Sequence, residues 1–167
     1  TGDPRWLSYM AVPDVDAAAA DVVANGGALL EPAQDMGPGR MALVAEPTGA
    51  VFALWREAQP DEAQDAAPGL GSVQWTECFS SDVDRSLAFF QQSFGLGNDT
   101  MPMPSGGAYN MLKSGEKRVG GAVQDPHEGN DSHWLNWVSV QDVDATAAAI
   151  GNPLFFGATS RRSIGRT

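Results

Sequence analysis

The chain has 167 residues, 43% of them apolar and 19% charged, with 19 Gly and 11 Pro, which suits one ordinary domain with a real core and neither a disordered nor a collagen-like chain. Ten Lys and Arg against 21 Asp and Glu leave a net charge of −11, a field that repels nucleic-acid phosphates and anionic membranes. Cys78 stands alone, which excludes an intramolecular disulfide framework and a thiolate metal cluster, and neither a bilayer-spanning run of about 18 apolar residues nor a basic-then-apolar leader is visible, so a cytoplasmic protein without nucleic-acid or membrane partners is expected.

The first segment, "WLSYMAVPDVDA", predicts a strand from Trp6 that runs into a helix carrying Val15, Ala19, Val22 and Val23, stopped at Asn25-Gly26-Gly27. Three strands follow, "ALLEP", "GRMALVAEP" and "AVFALW", with turns at Gly37-Pro38-Gly39 and at 46–49. Residues 1–57 therefore read as one β-α-β-β-β module, and 58–71 as an exposed linker. From Ser72 a second strand leads into a helix with Val83, Leu87, Phe90 and Phe94 along one side, ending at Gly95. Strands near 99–103, 109–113 and 118–123 complete a second β-α-β-β-β module over 72–127. Residues 128–167 hold the first strand and helix of a partial third module, then "NPLFFGATSRRSIGRT", with room for one short strand and a basic tail.

These units are copies of one another. "WLSYMAVPDVDAAAADV" from Trp6 recurs as "WLNWVSVQDVDATAAAI" from Trp134, and a weaker copy begins at Ser72. Each places an Asp where it can cap a helix and a second acid in the first turn: Asp14 and Asp16, Asp82 and Asp84, Asp142 and Asp144. Alternation along the preceding strand puts Leu7, Tyr9 and Ala11, then Trp75, Glu77 and Phe79, then Leu135, Trp137 and Ser139 on one kind of face. Met10, Val12, Cys78, Ser80, Val138 and Val140 take the opposite one, which suits packing under helices. Cys78 is thus expected to be a core residue rather than a nucleophile. His127 and His133, in "DPHEGNDSHW", read as solvent-facing loop residues; a divalent site with Glu128 and Asp131, or a substrate or subunit contact, is the alternative. Gly106-Gly107 and Gly120-Gly121 read as turns or tight strand contacts and lack the surroundings of a phosphate loop.

The strand before "DVDRSLAFFQQSFGL", the repeated Trp-Leu strand before "DVDA" and the hairpin-like "LVAEPTGAVFALW" make residues 6–150 resemble the vicinal oxygen chelate superfamily, the group of glyoxalase I, extradiol dioxygenases and bleomycin resistance proteins, and in particular its two-domain glyoxalase-like members. The resemblance implies an α+β fold whose β-α-β-β-β modules form curled mixed sheets around a cleft, with the third module incomplete. Modules one and three resemble second halves of a family domain and module two a first half. The incomplete sheet is expected to be repaired by pairing modules one and two or by exchange with another chain, and a homodimer is the favoured assembly.

Carried over by position, the family's metal-ligand places fall on Leu7, Trp75, Leu135 and Ala53, none of which offers a donor, so no metal or other cofactor is implied. The expected ligand-binding residues are Tyr9, Trp75, Glu77, Phe79 and Trp137. The tryptophans suit either stacking against an aromatic ligand or core and interface packing. Glu77 is the candidate catalytic residue as a general base; its structural alternative is to receive backbone or tryptophan N–H bonds. Three functions stay open: metal-free binding of a small, partly aromatic organic molecule by sequestration; a metal-independent isomerase, epimerase or lyase using Glu77; and a structural or oligomer-forming protein whose aromatic face is an interface.

Overall fold

Asp side chains start the helices. Asp14 accepts a hydrogen bond from the Ala17 amide at 3.0 Å, Asp82 from Arg85 at 3.1 Å and Asp142 from Ala145 at 2.9 Å, so each answers an amide that the first helical turn leaves unpaired. The helices they open are α1 (Val15–Ala24), α2 (Val83–Phe94) and α3 (Val143–Ile150). Gly95, at φ 65°, closes α2 in the left-handed region that glycine enters without a Cβ penalty, its amide reaching the Gln91 carbonyl. Asp82→Ala is expected to cost about 1 kcal/mol of stability, read from the urea midpoint, and Asp82→Asn to recover most of it.

The computed structural model describes residues 6–59, 69–104 and 106–150. Around α1 lie β1 (Tyr9–Ala11), β2 (Ala28–Asp35), β3 (Gly39–Ala45) and β4 (Val51–Glu57), in the order β1-β4-β3-β2 with β1 parallel to β4. Around α2 lie β5 (Val73–Ser80), β6 (Gly97–Pro102), β7 (Ala108–Ser114) and β8 (Lys117–Gln124), and the third unit adds β9 (His133–Val138). This second sheet runs β6-β7-β8-β5-β9, with β8 parallel and β9 antiparallel to β5. Much of the 58–71 connection and everything after Ile150, including the short strand read in "NPLFFG", lie outside the described residues.

The expected curled sheets around a cleft do not form. There are two open mixed sheets, neither closed nor strongly curled. The physical reason is the pairing around β5. Its free side is taken by β9, and among the described residues the third unit contributes no further strand, so the sheet ends one strand beyond β5. The first unit's sheet likewise ends at β1, only three residues long. The two sheets share no strand pair and meet through side chains instead.

Those side chains form one core. Phe52 of β4 packs against Phe90 and Phe94 of α2 and against Trp134 of β9, with ring centroids 6.0 to 6.4 Å apart. Val15, Val22, Val44, Leu54, Cys78 and Leu112 surround them. Helix α2 presents Ser86, Phe89 and Phe90 as its buried stripe, with Val83, Leu87 and Phe94 at the margins, so the apolar face is rotated slightly from the spacing read in the sequence. Cys78 and Ser80 point into the core, as alternation requires. Val138 does not: α3 buries none of its residues and leaves this valine exposed. No described helix is long and apolar enough to cross a membrane.

Candidate functional site

Because Cys78 and Ser80 enter the core, Trp75, Glu77 and Phe79 stand on the opposite face of β5. Register then decides their neighbours. On β9, Trp75 is opposite Trp137, Glu77 opposite Leu135 and Phe79 opposite His133. On β8, Glu77 is opposite Gly121, which in turn faces Met111 of β7, two residues beyond Tyr109. Directly opposed residues share a sheet face, so these side chains form one aromatic surface around a single carboxylate.

A chain of hydrogen bonds organises that surface. The Trp75 indole N–H donates to Tyr109 Oη at 2.6 Å, and the Tyr109 hydroxyl donates to Glu77 Oε1 at 2.6 Å. From the other side the Trp137 indole N–H donates to Glu77 Oε2 at 2.7 Å. Glu77 therefore accepts a tryptophan N–H, the contact named as its structural alternative, and a phenol O–H as well. Burial, and then the hydrogen bond to Glu77, push the Tyr109 hydroxyl well above the usual phenol range, so it remains a proton donor throughout neutral pH.

Gly121 makes the geometry fit. A Cβ at that position would lie 2.0 Å from Tyr109 Oη and 3.3 Å from Glu77 Cγ. The tyrosine thus crosses β8 over a residue with no side chain, one of the two readings given to Gly120-Gly121. Gly121→Ala is expected to evict the Tyr109 hydroxyl and cost about 2 kcal/mol, since hydrogen bonds to a charged acceptor are lost. In a Tyr109→Ala background the same change is expected to cost little; equal costs in both backgrounds would show that the hydroxyl is not what Gly121 accommodates.

The remaining sequence candidates divide. Phe79 stacks on His133 with centroids 5.4 Å apart and planes at 7°. His133 opens β9 instead of sitting in a loop; its Nδ1 is 3.0 Å from the Asp131 carbonyl oxygen and 4.0 Å from Asp125 Oδ2. Tyr9 belongs to the other sheet, edge-on to Trp55 at 6.0 Å and 58% exposed, apart from the Glu77 group. Cys78 is fully buried, and burial followed by the nearby Glu46 charge raises its thiol far above the ordinary range, which suits a core residue and not a nucleophile. An open concavity of about 550 Å³ lies elsewhere, between α1 and β2. Tyr109 was not among the sequence candidates. Its signals are the alternation of "AYNMLK" and Gly121, which lies diagonally across β8 from it and leaves room for its ring.

No family model matches the chain. An alignment of 167 residues, covering 98% of this chain and 64% of the other, gives 36% identity to CFP32, a candidate glyoxylase of Mycobacterium tuberculosis. The chain is a glyoxalase-like member of the vicinal oxygen chelate superfamily. It is also 33% identical over 150 residues to the anthracycline biosynthesis protein DauV of Streptomyces sp. strain C5, covering 84% of this chain and 51% of DauV. A mutant 4-hydroxymandelate synthase from Streptomyces coelicolor superposes over 77% of this chain and 40% of its own, with a TM-score of 0.41 and 12% identity. This glyoxalase-like chain spans between about half and two thirds of the length of the curated relatives it matches.

The superfamily's metal does not fit the residues present. Leu7, Trp75, Leu135 and Ala53 supply no donor atoms, and among the described residues no three His, Cys, Asp or Glu side chains converge. The alternative set of His127, Glu128, Asp131 and His133 does not assemble either. Glu77 is the one carboxylate on the aromatic strand face of β5, and each of its oxygens already holds an N–H or O–H donor.

Proposed function

We propose that this chain is a metal-free binding protein for a small, planar, partly aromatic molecule, which it holds on the open aromatic face of the five-stranded sheet and sequesters. The observation that carries the reading is the hydrogen-bonded group Trp75–Tyr109–Glu77–Trp137, which fixes two half-buried indoles and leaves them part of an open surface. Rings locked by their own polar edges lose little freedom when a ligand stacks on them, so such a face is preorganised. The part of DauV in anthracycline biosynthesis supports an aromatic polycycle as the ligand class.

Proton transfer by Glu77, as in an isomerase, epimerase or lyase, has less support. Each oxygen already accepts a short hydrogen bond, so a substrate proton would have to take a second lone pair past Tyr109 or Trp137. Homodimerisation belongs to the proposal, with the open edges of β2, β6 and β9 as its sites.

Titration of intrinsic tryptophan fluorescence with a hydroxylated anthraquinone tests the binding reading. Saturable quenching is expected, weakened about tenfold or more by Trp75→Ala or Trp137→Ala in folded variants. Absence of saturation in the unsubstituted protein overturns it, as does equal affinity in the variants. Sedimentation of the same samples decides the dimer. A dimer whose stability drops with Trp75→Ala, together with no ligand response, would favour the interface reading.

A further inference from the structure

Resting on the binding reading above, we infer that the molecule held on this face is a cation, a planar aromatic ring system bearing an alkylammonium group that sits against Glu77. The half-buried Glu77 carboxylate is satisfied only by neutral donors, one hydroxyl and one indole N–H. Such donors stabilise the anion without cancelling its charge. Among the described residues no Lys, Arg or His is ion-paired with it. The cations that do form pairs are committed elsewhere: Lys113 to Asp99 at 2.9 Å, and Arg40 to Asp16 and Asp35 at 2.8 and 3.0 Å.

Glu77 keeps binding capacity. A carboxylate offers about four lone-pair positions, and one on each oxygen is taken. An ammonium has three N–H groups and no lone pair to conflict with these acceptors, whereas a ligand carboxylate would set two anions side by side. The whole chain acts in the same sense, since its net charge of −11 concentrates cations and repels anions. Solvent screens a half-buried carboxylate less than a surface one, so the preference should outlast moderate salt. Local charge and long-range field therefore select one ligand class.

Three anthracene derivatives with a common ring system and different charge test this: 9-(aminomethyl)anthracene, 9-(hydroxymethyl)anthracene and 9-anthracenecarboxylate. The amine is expected to bind about tenfold more tightly than the alcohol, and the carboxylate most weakly. Glu77→Gln, checked for native circular dichroism, is expected to cost the amine about tenfold more than it costs the alcohol, whatever it costs both through the shared aromatic face. The unsubstituted protein should keep most of the amine preference at about 0.5 M salt, a readout that does not depend on how the variant folds. Equal binding of amine and alcohol overturns the inference and leaves the planar-ligand reading standing. A preference that survives Glu77→Gln or vanishes in salt assigns it to the overall field and overturns the role of Glu77. Failure of all three compounds to bind overturns both readings.

Discussion

Phe52→Ala is expected to destabilise the chain by about 4 kcal/mol, the largest effect of any single truncation considered. Phe52 is 1% exposed and meets Phe90, Phe94 and Trp134, residues of α2 and β9, from its place on β4. No strand ladder joins the first unit to the other two, so this ring cluster carries much of the adhesion between them. Truncation removes the transfer free energy of the ring and leaves a cavity that three flanking aromatic rings can fill only partly. For a domain with an ordinary stability of about 5–15 kcal/mol, that loss is a large fraction of the whole. Urea unfolding followed by circular dichroism measures it. A loss below about 1 kcal/mol would mean that the first unit does not depend on this contact.

Glu46→Ala is expected to cost about 3 kcal/mol, for a different reason. Glu46 is 2% exposed, directly after β3. Its Oε1 accepts hydrogen bonds from the Thr48 amide and the Ala50 amide, both at 3.0 Å, and from the Thr48 hydroxyl, while Oε2 accepts from the Ser86 hydroxyl at 2.9 Å. The Thr48 hydroxyl lies 2.6 Å from Ser132 Oγ and 3.1 Å from Ser80 Oγ, and Ser80 lies 2.8 Å from Ser86. The cluster thus ties the turn after β3 to the end of β5, to α2 and to the segment before β9. Alanine strips several buried donors of their acceptor, each worth about 1–3 kcal/mol, offset by relief of the carboxylate's own desolvation. Glu46→Gln keeps one acceptor oxygen and is expected to lose less than alanine does. If alanine and glutamine cost the same, the charge and not the acceptor count dominates.

The two clusters divide the labour. Glu46 and Phe52 hold the units together behind β5, while Glu77 and Tyr109 organise the face in front of it. A variant of the first kind should weaken the proposed binding only through loss of folded protein, and one of the second kind should weaken it in the molecules that remain folded as well. Measuring both properties in the same variants separates scaffold from site.

Local physics is what the sequence alone determined. A capping Asp acts on an amide three residues away, so Asp14, Asp82 and Asp142 were legible as helix starts. Strand parity has a period of two, so Trp75, Glu77 and Phe79 could be separated from Cys78 and Ser80 without knowing the fold. The repeat and its motifs were enough to point to the superfamily. Tertiary structure alone decided the rest. Which strand takes the free side of β5 is a contest between distant segments; β9 prevails, and with it the sheets stay open instead of curling. Tyr109 reaches Glu77 across 32 residues of sequence only because β7, β8 and β5 lie side by side and Gly121 leaves the space between them empty. No periodicity encodes that coincidence, because it depends on the register of three strands at once.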